Sequence, residues 1–97
     1  MADLLQLEIR RPDNQSSVFD VQPGVYSIGS DEDCKIRFPH PSVESRHAIL
    51  TIREDQCWIE DLASSTGTTV NRQRINGRVG VAQTQEIGIG PFIIIPR

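Results

Sequence analysis

The chain lacks most of the features that place a protein quickly. Its 97 residues hold only two cysteines, Cys34 and Cys57. They do not form a CxxC pair, so neither a disulfide framework nor a zinc site is supported. Both read as reduced, partly buried thiols. Cations are not in excess: Lys plus Arg number 10 against 13 Asp plus Glu, a formal net charge of −3. Nonspecific nucleic-acid binding and a polybasic membrane anchor both need surplus positive charge, so neither is expected. The longest apolar run, Phe92 to Ile95, is far too short to cross a bilayer. The opening stretch MADLLQLEIR lacks a basic n-region and a long apolar segment, so no secretory leader is read there. These readings together point to the cytoplasm, including the cytoplasmic side of a membrane-associated complex.

Helical periodicity is missing too. No long window places apolar residues at i, i+3, i+4 and i+7, and seven Gly and six Pro punctuate the chain. What is present is period two. Leu5, Leu7 and Ile9 alternate with Gln6, Glu8 and Arg10; Ala48, Leu50 and Ile52 alternate with Ile49, Thr51 and Arg53. Both segments predict strands with one buried face. Shorter runs read the same way: VFDV (18–21), VYSI (25–28), KIRF (35–38), CWIEDL (57–62), EIGI (86–89) and FIII (92–95). FIII is expected to be a last strand buried on both faces. Trp58 faces outward if Cys57 and Ile59 face inward, unless a neighbouring strand or loop covers it. Asn76-Gly77, flanked by Ile75 and Val79, carries the signature of a type I′ hairpin, because both residues tolerate positive φ. The expectation is an all-β, antiparallel sandwich. No repeat or linker divides the chain, so residues 1–97 read as a single domain, which could open a longer protein.

Function in such a fold usually lies in loops at one end. Three loops are rich in small polar groups: IGSDEDCKI, PHPSVESRHA and DLASSTGTTVN. In the third, five hydroxyls surround Gly67 and could cradle an anion or simply bond their own backbone. No GK[ST] follows, which excludes a Walker loop. In the second, Ser45 and His47 lie two apart and would point the same way in an extended segment. Acyl transfer also needs an orienting acid and an oxyanion hole, and there is no G-x-S-x-G elbow. An enzyme is not expected. His40 and His47 have no metal-ligand spacing, and no cofactor is implied.

Taken together the three loops resemble a forkhead-associated (FHA) domain. YSIGS, PSVESRHAIL and WIEDLASSTGTTVN follow the family's order at similar spacing, from about Val25 to Ile95. The resemblance implies a β-sandwich of about eleven strands, whose loops at one end bind phosphothreonine peptides on partner proteins without catalysis. It implies a structural loop motif of Gly29, His47, Ser64, Gly67 and Asn71, alongside Ala48, Asp61, Leu62 and Thr68. The phosphopeptide-pocket equivalents are Ser30, Glu44, Ser45, Arg46, Ser65 and Thr66. Several depart from the family. Ser30 stands where an arginine reaches phosphate, Glu44 where a serine binds it, and Thr66 where an asparagine holds the peptide backbone. Ser65 matches the residue whose hydroxyl and backbone touch phosphate.

Arg offers several fixed donors to phosphate and Ser only one. A carboxylate about 4 Å from a phosphate charge costs up to ~4 kcal/mol at an effective dielectric of 20. The expectation is a docking module with weakened or lost phosphothreonine dependence. Its partner would be a protein, a phosphoprotein or another domain of the same polypeptide. The alternative is a working reader in which Glu44 turns outward and Ser45, Arg46 and Ser65 act as substitute ligands, with Arg72 and Arg74 as further sources of positive charge.

Overall fold

The computed structural model describes residues 5–54 and 56–97. Part of the stretch read for a leader, residues 1–4, lies outside them. Among the described residues eleven strands form two sheets. In chain order they are β1 (Leu5–Arg10), β2 (Ser16–Val21), β3 (Gly24–Gly29), β4 (Ile36–Arg37), β5 (Ala48–Arg53), β6 (Gln56–Asp61), β7 (Thr68–Val70), β8 (Gln73–Arg74), β9 (Arg78–Val81), β10 (Ile87–Ile89) and β11 (Phe92–Pro96). One sheet has the order β2-β1-β11-β10-β7-β8 and the other β4-β3-β5-β6-β9. No helix among the described residues is long and apolar enough to cross a membrane.

The period-two pattern sets the packing. Along β5, Ala48, Leu50 and Ile52 are buried while Ile49 and Thr51 are only half-buried. They join Leu7, Ile9, Ile28, Ile59, Val81, Ile87, Ile89, Phe92 and Ile94 in one core between the sheets. Burying each Leu, Ile, Val or Phe among them contributes roughly 1.5–3 kcal/mol. β11 sits inside its sheet, between β1 and β10. Its outward residue Ile95 is buried and its neighbour Ile93 half-buried. Glu8 and Arg10 stand opposite them on β1 and pair with each other at 2.9 Å, so long side-chain stems lie over this outer face.

The all-β sandwich of eleven strands is as expected, while two finer readings need correction. First, the sheet pairing is not wholly antiparallel: β3 and β4 run parallel, with Ile28 opposite Ile36 and Gly29 opposite Arg37. The KIRF run supplies only a two-residue strand, because the chain must turn back within residues 30–35 to lie beside β3. Second, Asn76-Gly77 is not a hairpin turn. β8 and β9, on either side of it, belong to different sheets, and only Gly77 has positive φ. A two-residue hairpin loop of that kind lies instead at Asn71-Arg72 between β7 and β8, where Val70 pairs with Gln73 and both loop residues have positive φ (50° and 70°). That is the backbone a type I′ turn requires. Trp58 faces outward, as expected where Cys57 and Ile59 face inward. It is half-buried, and the Arg78 guanidinium lies 5.1 Å from its ring centroid, a cation–π contact.

Leu50 is fully buried, so Leu50→Ala is expected to cost about 2–5 kcal/mol. The readout is a lower denaturant midpoint at unchanged slope. Exposed Val25 serves as the control, with Val25→Ala changing stability by no more than about 0.5 kcal/mol.

Candidate functional site

The site begins where β3 ends. A Cβ on Gly29 would lie 2.2 Å from the Ser45 carbonyl oxygen and 3.0 Å from Cys34 Sγ. No side chain fits that approach. The closeness joins the first loop to the second. The Ser30 N–H donates to the Glu44 carbonyl at 2.9 Å, and the Asp31 N–H to the Ser45 carbonyl at 3.2 Å. The Cys34 thiol donates to the same Ser45 oxygen at 3.3 Å.

His47 joins the second loop to the third. Its side chain is completely buried. The Glu44 N–H donates to Nδ1 at 3.2 Å, and Nε2 lies 2.9 Å from the Gly67 carbonyl. An acceptor at Nδ1 and a carbonyl at Nε2 assign the proton to Nε2 by the hydrogen-bond network. The His47 backbone is also engaged, donating to Ile28 at 2.8 Å and accepting from Leu62 at 3.0 Å. Both ring nitrogens are therefore occupied by backbone groups. None is left to take a proton from Ser45, which lies on the exposed side of the loop. The two residues do not face the same way, because residues 41–46 form turns and bends rather than an extended strand.

Asp61 organises the third loop. Its Oδ1 accepts from Ser64 Oγ at 2.5 Å and from Thr68 Oγ1 at 2.7 Å, and its Oδ2 from the Ser64 N–H at 3.2 Å. Ser64 Oγ accepts in turn from the Gly67 N–H at 3.1 Å. Burial pushes the Asp61 carboxyl up, but these hydrogen bonds from Ser64 and Thr68 outweigh it and hold the group below its ordinary value. Gly67 has φ +87°, and Arg74 lies against it so closely that a Cβ there would be 2.8 Å from Nε. The Arg74 guanidinium donates to the Ser64 carbonyl at 3.4 Å.

Glu44 and Ser65 meet at the surface between the second and third loops. Glu44 Oε2 accepts from Ser65 Oγ at 2.5 Å and from the Ser65 N–H at 3.3 Å. The hydroxyl bond first, then the backbone bond, lowers the Glu44 carboxyl below its ordinary value. Beside it Thr66 Oγ1 donates to the Ser42 carbonyl at 2.8 Å. Glu44 thus points at Ser65 rather than outward. Ser30, Glu44, Ser45, Ser65 and Thr66 belong to one interlocked cluster, and exposed Arg46 lies on its second loop. Asn71 lies apart, in the β7–β8 turn, where its N–H donates to the Glu86 carbonyl and its Oδ1 accepts from the Glu86 N–H. Sequence reasoning missed the Ser42 carbonyl and the Cys34 thiol as members of the cluster. Neither backbone acceptors nor a lone thiol carry a motif.

A family model described as FHA domain matches residues 26–90, about two thirds of the chain. The chain belongs to the FHA domain family. Among curated relatives, this FHA domain is similar to the glycogen accumulation regulator GarA of Mycobacterium tuberculosis. The two are 29% identical over 89 residues, covering 92% of this chain and 54% of GarA. An oxoglutarate dehydrogenase inhibitor of Corynebacterium jeikeium is 32% identical over 89 residues, covering 92% and 61% respectively. The chain therefore spans little more than half the length of these relatives. Among solved structures, the FHA domain of the CT664 protein from Chlamydia trachomatis has a TM-score of 0.87 at 23% identity, covering 96% of this chain and 95% of that one. The FhaA FHA domain, solved in complex with the intracellular domain of Rv3910, has a TM-score of 0.81 at 26% identity, covering 96% and 99%.

Gly29→Ala is expected to cost about 2 kcal/mol or more, because the new methyl meets backbone that cannot yield. It should also free the first loop. Cys34, buried in the native protein, would then react faster with a thiol reagent, and unchanged reactivity would contradict the close packing.

Proposed function

We propose that this FHA domain is a protein-docking module whose loop end engages its partner without requiring a phosphate. One observation carries the reading: Glu44 Oε2 holds both the hydroxyl and the backbone N–H of Ser65. By resemblance to the family, these are donors that would otherwise face a phosphate. An arriving phosphate would have to displace a carboxylate already in place and then remain beside its charge. Solvent weakens that repulsion at an exposed carboxylate but leaves its sign unchanged. Phosphothreonine carries up to two negative charges. Compensation is weak. Ser30 offers no guanidinium fork, and Thr66 already spends its hydroxyl on Ser42.

A protein partner is supported by the relatives. The FhaA FHA domain is complexed with the intracellular domain of another protein, and GarA is named a regulator. The partner could equally be another domain of the same polypeptide, with residues 1–97 acting as one module. The role is one of binding rather than catalysis, since His47 has no free nitrogen to serve as a base. A reducing cytoplasm suits two free, buried thiols, of which Cys57 is pushed up by burial to about 11 and is inert.

Calorimetric titration with matched phosphorylated and unphosphorylated threonine peptides tests the proposal. The native protein is expected to bind both members of each pair within about twofold. Ser30→Arg combined with Glu44→Ser should restore a preference for phosphate of about tenfold or more. A native preference above about tenfold that disappears in Arg46→Ala would overturn the proposal in favour of a phosphothreonine reader using Ser45, Arg46 and Ser65.

A further inference from the structure

The two sheets of the sandwich are unequal at one side. The first ends on β2, six residues long, and the second on β4, with only two. The inward face of β2 is therefore left largely uncovered. Phe19 stands on that face, opposite the buried Leu7, and is still 43% exposed. Between the two edge strands lies a cavity of about 350 Å³. Leu7, Ile9 and Phe92 form its apolar base, and Phe92 stacks on Phe38 with ring centroids 4.2 Å apart.

The rim of this cavity is cationic. Arg11, Lys35 and Arg37 line it, and no carboxylate does, although the chain as a whole is acidic. Among the described residues none of the three is in an ion pair. Arg11 donates to the Ser17 hydroxyl, Lys35 lies over the Tyr26 ring, and Arg37 donates to the Ser30 carbonyl. These are neutral partners, so the positive field is not cancelled locally.

The outer edge of β2 is unpaired. Its sequence, SSVFDV, contains neither Lys nor Pro, which commonly block strand addition, and its one charge, Asp20, lies on the face away from the cavity, bonded to Gln6. A strand added at that edge would direct alternate side chains towards the cavity.

We propose that this groove is a second docking site, filled by an extended, acidic segment of a partner protein. The segment pairs with β2, seats a bulky apolar side chain against Phe19, Leu7 and Phe92, and sets carboxylates beside Arg11, Lys35 and Arg37. Charge selects the acidic segment. The free backbone edge selects a polypeptide over a small molecule, which could fill the cavity but not use the edge. Glu44, Ser65 and Thr66 do not line the groove, so it stands or falls separately from the loop end.

The test is an NMR titration of the labelled domain with a short synthetic peptide of Glu and Val around one Phe. Two controls accompany it, one with Phe replaced by Ala and one with every Glu replaced by Lys. Shifts are expected along Ser16–Val21 and at Tyr26, Lys35 and Ile36, with the β2 amides becoming protected from exchange. Both controls should bind at least about fivefold more weakly. So should Phe19→Ala and Lys35→Glu proteins, whose exposed sites leave the fold intact; Glu44→Gln should bind normally. Several outcomes would overturn the proposal: no shifts, shifts confined to the loop end, equal binding of the Lys peptide, no protection of β2, or a dimer formed through β2, which would assign the groove to a second copy.

Discussion

Both ring nitrogens of one buried imidazole bridge two loops, and the loop end of the molecule is built around that bridge. His47 takes the Glu44 N–H on one side and faces the Gly67 carbonyl on the other. Its own backbone closes against Ile28 and Leu62. A buried side chain with all its polar groups satisfied is costly to disturb, since breaking the arrangement would strand backbone groups away from water. The bridge sets the distance between the second and third loops. It thereby places the Glu44 carboxylate within reach of Ser65. Gly29 does the same on the other flank, letting the Ser45 carbonyl approach where any larger residue would hold it off.

Two carboxylates in this cluster illustrate how position decides role. Asp61 is half-buried and spends both oxygens on Ser64 and Thr68. It shapes the loop. Glu44 is exposed and spends one oxygen on Ser65. It occupies donors at the surface, where an incoming anion would look for them. The acidic run Asp31, Glu32 and Asp33 sits on the neighbouring loop and adds to the same negative field. The positive rim lies elsewhere, on the open side of the sandwich. The molecule thus presents two chemically opposite surfaces.

Much of the fold could be read in advance because its cause is local. Alternation along β1 and β5 follows from which face is buried, and Leu7, Ile9, Ala48, Leu50 and Ile52 of that pattern are in the core. The Asn76-Gly77 turn misled because dipeptide preference records φ tolerance and not which strands flank the turn. Here the neighbours lie in different sheets, while an Asn-Arg pair with no glycine adopts the hairpin geometry. The parallel β3–β4 pair was likewise hidden, since two residues carry no periodicity. At the site, the sequence marked Glu44 as the wrong charge in the expected place. Its partner could not be read, because the Glu44–Ser65 contact joins residues 21 apart through a loop geometry that His47 and Gly29 impose.

The chemistry of the loop end turns on whether Glu44 holds Ser65 in solution. NMR titration of the Ser65 amide and hydroxyl together with the Glu44 side-chain carboxyl measures this directly. A carboxylate that accepts two hydrogen bonds is harder to protonate. Glu44 is expected to titrate below its ordinary 4.5, the Ser65 amide to shift with the same midpoint, and Glu44→Gln to abolish that shift. A Glu44 carboxyl titrating at or above 4.5, with a Ser65 amide indifferent to it, would contradict the account.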